Sequence, residues 1–514
     1  MGRLRNPVCC LYALVLLLLL VSLLSPMPLA AAEQPQYGGI MKIVSVAEGA
    51  LPIGAPWEVR GGDSDLMKPA MEGLIREDMQ GGYHPWLATS WKIDQAKSTI
   101  TLTLRKGVKF HDGTDFNAKA EKWAIDHAIE AKAATGFKSV DILDDYTIRI
   151  NVDRYHNNYL NTLSQSVCNP VSPTAFEKNG KEYAQWHPVG TGPFKFVSYE
   201  RGSKVTYARW DGYWQKGRPY LDGIEYLLMR DPMTQMAAMR ASGPDKIQVL
   251  YCNSGEQAAM MKAQGFKVNS GIVAAASMIP DSNNPDSPLS KKKVREAVSL
   301  AIDRDAIVKA RGFGFWYPTL QVPPPQQPGY VASLGPGQYD PKKARQLLAE
   351  AGYPDGFKIK LIIMPALIDR DAMVAVQRYL GQVGIQCELE FPDGGGYMTY
   401  RFKNGWHNAF LVHAVRILAT ANIFYDFQWN SPGMFPSVKR PDGFTDKLEK
   451  SLQTVMPDKA KMEELTKMLA DDWMTIPLYH QSESYIIQPN VRDTGFLEWS
   501  PSTVCTPEAM WLAK

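Results

Sequence analysis

Strand-like alternation of apolar and polar positions marks the first half of the chain. Residues 91–93 and 100–104 carry apolar side chains at every second position, and the stretch 94–98 between them is polar. This pattern predicts a β-hairpin with one buried face. Alternation within 194–207 predicts a second hairpin.

Helix signals alternate with strand signals further along the chain. Asn117 and Ser290 are each expected to cap a helix, because a polar side chain there precedes helically spaced apolar residues. Asp340 is the expected N-cap of a third helix, which Gly352 would end in a left-handed conformation. The strand–helix–strand order predicted over 358–391 favours an α/β lobe.

The first segment has the order of a secretory signal peptide. Arg3 and Arg5 precede an apolar run at 11–24, and three alanines follow at 30–32. This run is shorter than the roughly 20 residues that a membrane helix needs. Cleavage near Ala32 is therefore favoured over an uncleaved membrane anchor.

Composition narrows the class of partner. Removing the signal would leave 54 basic side chains against 53 acidic ones, and mean hydropathy is −0.25. This balance favours a globular protein and gives no support for nucleic-acid binding. The remaining cysteines form no C-x-x-C pair, so zinc is not expected, although a disulfide is possible in an oxidising compartment. They are Cys168, Cys252, Cys387 and Cys505.

Common catalytic motifs are absent from the sequence. It contains no H-E-x-x-H, no G-x-S-x-G and no phosphate-binding G-x-x-x-x-G-K-[ST]. We therefore expect a non-catalytic protein without a cofactor or metal, although catalytic groups can also converge from distant positions. His111, among glycines and charges, is expected to be a solvated turn residue.

Six short stretches of the sequence carry a family resemblance. The stretches are E-G-L at 72–74, P-W-L-A-T-S-W at 85–91, L-R-K-G-V-K-F-H-D-G-T at 104–114, G-T-G-P-F at 190–194, V-R-E-A to A-I-D-R at 294–304, and D-P to A-G-Y at 340–353. Together they resemble the oligopeptide, dipeptide and nickel type of bacterial ABC-transporter solute-binding protein. They occur in the family's order, which makes the resemblance more specific than any single match.

The resemblance implies a two-lobed α/β fold, the type II periplasmic-binding-protein fold with an extra subdomain in its first lobe. Two lobes would close about a hinge and enclose the ligand. The expected boundaries are a signal peptide at 1–32, a first lobe at 33–75, 190–278 and 482–514, an extra subdomain at 76–189, and a second lobe at 279–481.

The resemblance also implies the function. A periplasmic monomer would capture a small molecule or short peptide and deliver it to the permease subunits of an ABC importer. An oligopeptide-like ligand is expected, while an oligosaccharide, an opine-like anion or a metal chelate stays open. Two alternatives belong to other functional classes. One is a secreted hydrolase, and the other is a sensor or chaperone-like module with the same fold.

One departure from the family concerns ligand recognition. Peptide-binding relatives carry an aspartate that pairs with the ligand's ammonium group, whereas the matching stretch here, 413–422, contains no acid. Arg416 offers a fork suited to a carboxylate or phosphate, or else forms a surface salt bridge. The loop 48–57 is also expected to line the cleft. The predicted ligand residues are Trp57, Trp406, His413, Arg416, Asn422, Tyr425, Tyr479 and His480.

Overall fold

The computed structural model describes residues 33–45, 51–59, 61–243, 246–364, 367–417, 420–430, 433–499 and 506–514. The predicted signal peptide, Cys505 and the first part of the loop 48–57 lie outside the described residues. Contacts divide the chain into Met1–Gln36 and Tyr37–Lys514, and every described helix and strand belongs to the second unit. None of the helices in the described ranges has the length and apolarity needed to span a bilayer.

Strands in the described part of the chain form one large sheet and three smaller ones. They are β1 Ile40–Ser45, β2 Ile75–Glu77, β3 Tyr83–Pro85, β4 Ala88–Asp94, β5 Thr99–Leu104, β6 Phe137–Asp144, β7 Thr147–Val152, β8 Phe194–Glu200, β9 Lys204–Arg209, β10 Gly223–Leu228, β11 Val249–Cys252, β12 Lys267–Pro280, β13 Trp316–Pro318, β14 Phe357–Ile363, β15 Ile385–Glu390, β16 Ala409–Arg416, β17 Ile476–Ile487, β18 Val491–Arg492 and β19 Trp511–Leu512.

Helices cover the large sheet and fill the spaces between sheets. They are α1 Ala118–Glu130, α2 Asn158–Ser164, α3 Pro173–Asn179, α4 Lys181–Ala184, α5 Pro232–Arg240, α6 Gly255–Ala263, α7 Lys292–Leu300, α8 Arg304–Arg311, α9 Pro341–Glu350, α10 Arg370–Gly381, α11 Gly394–Thr399, α12 Ala421–Tyr425, α13 Phe444–Leu452 and α14 Lys459–Asp471.

The large sheet has two parallel groups of three strands joined by long antiparallel strands, and β9 and β8 extend one group in antiparallel pairing. Its order is β15-β14-β16-β12-β17-β11-β1-β10-β9-β8, and β13 pairs with β17 beside this path. Pairing is parallel where β1 contacts β10 and β11, and where β14 contacts β15 and β16. The long strands β12 and β17 pair with each other antiparallel and connect both halves. A separate four-stranded sheet, β4-β5-β7-β6, lies within the predicted extra subdomain.

Hydrophobic packing divides the core into three clusters. One cluster surrounds the four-stranded sheet and includes Phe110, Tyr155 and Leu160. A second covers one face of the large sheet, and a third lies under α13 and α14 and contains Phe435 and Leu448. The fold is therefore of the mixed α/β class that the sequence predicts.

Local predictions agree with the structure at most positions. The hairpin predicted at 91–104 is β4 and β5, and the second one is β8 and β9. Asp340 accepts a hydrogen bond from the Lys343 amide at 2.9 Å, and Gly352 has a φ of 91°. The prediction for Ser290 is wrong, because Ser287 caps a short 3₁₀ turn that contains Ser290, and α7 begins only afterwards.

The prediction of a solvated His111 is also wrong. Its side chain is buried, and Nε2 lies 2.8 Å from the carbonyl oxygen of Gly192. Burial lowers the pKa of His111 to about 4. A Cβ at Gly192 would lie only 2.5 Å from the Pro69 carbonyl oxygen, so the G-T-G-P stretch serves close backbone packing.

Candidate functional site

The carboxyl ends of strands from both halves of the large sheet surround one cavity. Residues 253–256 follow β11, residues 367–369 follow β14, and Arg416 ends β16. We name this the strand-end cavity; its volume is about 200 Å³. Ligands of α/β proteins bind outside the carboxyl ends of strands, because loops from several strands converge there.

Arg416 lines the strand-end cavity. Its side chain is half-exposed, and its guanidinium lies 2.9 Å from the carboxylate of Glu483 on β17. The negative charge of Glu483 raises the pKa of Arg416 against the opposing effect of burial, and Tyr251 and Asp65 act in the same direction as Glu483. The arginine therefore stays charged and faces groups of the predicted first lobe.

A second ion pair lines the same cavity. Arg311 at the end of α8 lies 2.9 Å from Asp369 and 3.2 Å from Asp371. Hydrogen bonding to Asp369 raises the pKa of Arg311, which keeps the guanidinium charged. Asp369 also accepts a hydrogen bond from the Ala372 amide at 2.7 Å, and this N-cap fixes its carboxylate at the cavity. Glu256 also lines the cavity, and its charge acts in the same direction on the pKa of Arg311.

Trp316 lines the cavity, and Tyr479 packs against it from behind. The rings of Trp316 and Tyr479 stack with centroids 4.4 Å apart and an interplanar angle of 2°. Trp316 lies on β13, which pairs with β17, so sheet pairing holds the indole in place. Both the Trp316 Nε1 and the Tyr479 hydroxyl are buried without a hydrogen-bond partner. A polar group of a ligand reaching Trp316 could therefore accept a hydrogen bond.

A larger cavity of about 470 Å³ also lies against β12 and β17, and Ser482 lines both cavities. Tyr317, Tyr330 and several prolines line the larger cavity, together with His480 and Ser482. Burial lowers the pKa of His480 to about 4, so its ring is neutral near pH 7. No Asp, Glu, Lys or Arg lines this second cavity in the described part of the chain. The charged groups that can orient a ligand therefore belong to the strand-end cavity.

The structure places the predicted ligand residues at different sites. Arg416 lines the strand-end cavity, and His480 lines the second one, where its Nε2 lies 3.0 Å from the carbonyl oxygen of Val322. Tyr479 lies behind Trp316. Trp57 packs against His127 in the cluster around the four-stranded sheet, with ring centroids 4.9 Å apart.

The other predicted ligand residues are buried in the third hydrophobic cluster or at its edge. Trp406 and Tyr425 belong to that cluster. His413 Nδ1 lies 2.8 Å from the Tyr397 hydroxyl, and burial holds the pKa of this histidine well below its ordinary value. Asn422 donates a hydrogen bond to Asn157 at 2.9 Å. Direct ligand contact by these residues stays a prediction.

Sequence reasoning missed Arg311, Asp369 and Glu483. Asp369 had a usable signal, because an acidic N-cap that follows a buried strand lies at the carboxyl edge of a sheet. Glu483 had none, since its partner Arg416 is remote in sequence. No group of three or more His, Cys, Asp or Glu side chains suited to a metal ion occurs among the residues that the structure describes.

Comparison with known proteins identifies the family. Residues 82–435 match bacterial extracellular solute-binding proteins, family 5 (middle region). The glutathione-binding proteins GsiB of Salmonella choleraesuis and Escherichia coli O157:H7 are each 34% identical over 341 residues, which covers 64% of this chain. The chain spans 65% of the length of these relatives.

Solved structures share the fold over nearly the whole chain. DppA of Helicobacter pylori in complex with the peptide STSA has a TM-score of 0.75 at 23% identity and covers 93% of this chain and 99% of its own. NikA of Brucella suis in complex with Fe(III)-EDTA has a TM-score of 0.78 at 20% identity, and the match covers 90% of this chain and 98% of NikA. AgaA of A. tumefaciens R10 in complex with agropinic acid has a TM-score of 0.75 at 22% identity, and the match covers 93% of this chain and 99% of AgaA.

These matches confirm the predicted resemblance and the fold. Proteins of this family bind solutes and are not catalytic. The chain belongs to family 5 of the bacterial extracellular solute-binding proteins.

Proposed function

We propose that the protein is the solute-binding component of an ABC importer and that it captures a small zwitterionic solute in the strand-end cavity. A short peptide or an amino-acid derivative fits this class. The observation that carries the proposal is the convergence of two arginine–carboxylate pairs at the strand ends of both halves of the sheet.

Paired charges favour a ligand that carries both signs. Arg311 and Arg416 offer forks for carboxylates, whereas Glu256, Asp369 and Glu483 suit an ammonium group. A zwitterion can exchange partners with these pairs and leave no charge unpaired in the closed cleft. A neutral sugar would form no ion pair with any of these five charged groups, and a simple anion would compete with Glu483 for Arg416.

Cavity size limits the length of the ligand. Sites for drug-sized ligands commonly have volumes of roughly 300–1,000 Å³. The strand-end cavity, at about 200 Å³, is smaller, so a solute of a few residues fits better than a long peptide. Trp316 adds an aromatic surface for part of the ligand, and stacking on Tyr479 supports its ring.

The ligands of related proteins support this class. GsiB is named a glutathione-binding protein, DppA was solved with a peptide, and AgaA was solved with agropinic acid. Each of these compounds carries carboxylate groups. By extension from these relatives, we propose that the chain is exported with a signal peptide at 1–32. Its partner in the membrane would be a permease.

The lobe boundaries follow from the same proposal. The first lobe would comprise 33–75, 190–278 and 482–514, the extra subdomain 76–189, and the second lobe 279–481. The long strands β12 and β17 would then cross between lobes as the hinge. Their register shift between Ile272 and Ala274 lies beside the strand-end cavity, which couples ligand contacts to bending of the hinge.

The test is a thermal-shift screen followed by calorimetry with dipeptides, glutathione, opines and neutral disaccharides. A ligand at 100 times its dissociation constant adds about 2.7 kcal/mol to the free energy of unfolding. We expect a zwitterion to stabilise the protein and Arg416→Ala to weaken its binding by more than tenfold. Arg149→Ala is the matched control, because Arg149 forms a similar exposed pair with Asp141 away from the cavity. Stabilisation by a neutral sugar, with Arg416→Ala unchanged, would contradict the proposal.

A further inference from the structure

Asn157 of the predicted extra subdomain caps a helix of the predicted second lobe. The helix α13 ends at Leu452, and its last carbonyl groups have no partner within the helix. The Asn157 backbone amide donates to the Leu452 carbonyl at 2.7 Å, and its side-chain amide donates to the Ser451 carbonyl at 2.9 Å. The Thr454 hydroxyl also donates to the Ser451 carbonyl at 2.9 Å, whereas the Leu452 carbonyl is satisfied by a residue almost 300 positions away in the chain.

Two neighbouring side chains extend the same pattern. The Gln95 side-chain amide donates to the Gln453 carbonyl at 2.5 Å, and the Tyr155 hydroxyl donates to the Val455 carbonyl at 2.9 Å. The predicted subdomain thus supplies donors to four carbonyl groups in and just beyond the last turn of α13. Only donors can satisfy this end of a helix, so the two surfaces are complementary.

Charge complements these hydrogen bonds. Arg154 and His156 each lie 2.9 Å from the same carboxylate oxygen of Glu449 in α13. Basic groups near a helix C-terminus also interact favourably with the helix dipole. Both kinds of contact attract the subdomain to the end of α13.

We call the contact between residues 154–158 and the C-terminal end of α13 the seam. Both polar atoms of the Asn157 side chain form hydrogen bonds there. Besides Ser451 it donates to the Thr454 hydroxyl at 3.0 Å, and its oxygen accepts from Asn422 at 2.9 Å. The side chain is completely buried. Next to it, Asn158 donates to Asp426 at 2.9 Å.

The two sides of the seam belong to different hydrophobic clusters. Tyr155 packs in the cluster around the four-stranded sheet, whereas Leu448 and Leu452 pack in the third cluster. Hydrogen bonds and ion pairs therefore join the surfaces, and water can replace those contacts when the surfaces separate. A polar contact of this kind suits an interface that opens and closes.

From these contacts we infer that residues 154–158 and the C-terminal end of α13 form a latch that holds the two lobes closed. The inference rests on the proposed hinge-closing function and adds a stabilising contact remote from the ligand. Opening the lobes would uncap α13, so the open state loses helix stability as well as interlobe contacts. The latch raises the population of the closed state before a ligand arrives.

The test compares ligand-free wild type with Asn157→Ala by hydrogen–deuterium exchange and small-angle X-ray scattering. Because the variant loses three side-chain hydrogen bonds of Asn157, exchange at 154–158 and 449–455 should become about tenfold faster. The radius of gyration should increase as lobes open. Asn151→Ala is the control, since Asn151 bonds to Ser139 and Asp141 within the same subdomain.

A second variant, Glu449→Gln, keeps the size of the side chain and removes the ion pairs. It should shift both measurements in the same direction by a smaller amount. Unchanged exchange in Asn157→Ala, or faster exchange with an unchanged radius of gyration in both variants, would overturn the latch. Because no ligand is added, failure of the zwitterion screen leaves this result unaffected.

Discussion

At the scale of single residues, two buried glutamates show how partners decide the state of a carboxyl group. Glu72 of the E-G-L stretch accepts hydrogen bonds from Trp86, Thr191 and Tyr213, each at 2.8 Å. Burial raises the pKa of Glu72 to about 7, and these donors oppose that effect. Glu121 in α1 is equally buried, and among the described residues neither of its carboxyl oxygens has a hydrogen-bond partner.

Glu121 predicts a pH-dependent loss of stability. Burial raises its pKa well above the ordinary value, so folding favours the protonated form while the unfolded chain ionises. Stability therefore falls as pH rises above the unfolded pKa, until the folded pKa is reached. Glu121→Gln cannot ionise, and we expect it to gain stability over wild type between pH 5 and pH 8 in urea unfolding, by more than about 1 kcal/mol. If the free energy of unfolding changes with pH in the same way in Glu121→Gln and in wild type, this prediction is wrong.

The sequence identified individual side chains better than it identified their partners. Arg416 could be selected because a basic residue replaces the acid expected from the family's pattern. Its pairing with Glu483 depends on the juxtaposition of β16, β12 and β17, which local patterns do not encode. For the same reason His413 and Trp406 were predicted at the ligand, although packing against Tyr397 and Phe435 buries them.

At the scale of elements, the A-I-D-R stretch links helices α7 and α8 to the long strand β17. Asp303 caps α8 by accepting from the Ala306 amide at 2.9 Å. Arg304 is buried and donates to the carbonyls of Pro477 and Ser299, each at 2.9 Å, which ties α7 and α8 to the start of β17. Burial lowers the pKa of Arg304 to about 10, and the group remains charged at neutral pH.

Removing the hydrogen bonds of Arg304 should destabilise the second half of the molecule. Arg304→Ala leaves two buried carbonyl groups without their donor, and an unsatisfied buried group costs about 1–3 kcal/mol. We expect a loss of about 3 kcal/mol in urea unfolding. Arg304→Lys should recover only part of it, because an ammonium group cannot reproduce the guanidinium fork. Lys309→Ala, an exposed change in the same helix, should have little effect; an equal loss there would refute the role of Arg304.

Element prediction succeeded where the signal is local. The cap of α9 at Asp340 and the hairpin of β4 and β5 depend on neighbouring residues, and both were predicted. The length of β12 and β17 was not, because those strands are defined by pairing between distant segments. Ser290 misled the prediction because a 3₁₀ turn with its own cap precedes α7.

At the scale of the whole molecule, family resemblance supplied what periodicity could not. Strand and helix patterns favour an α/β lobe but do not count lobes or order the sheet. The six matching stretches implied the two-lobed family, and comparison with solved structures confirmed the fold. The strand-end cavity then follows from topology, because β11, β14 and β16 all end beside it.

A non-catalytic carrier should release its solute unchanged. We expect native mass spectrometry of protein purified without refolding to show a bound zwitterion of low mass. That solute should be recovered with the same mass after prolonged incubation and denaturation, and Arg416→Glu purified in the same way should lack it. Recovery of a chemically altered product, or equal occupancy of wild type and Arg416→Glu, would contradict reversible capture in the strand-end cavity.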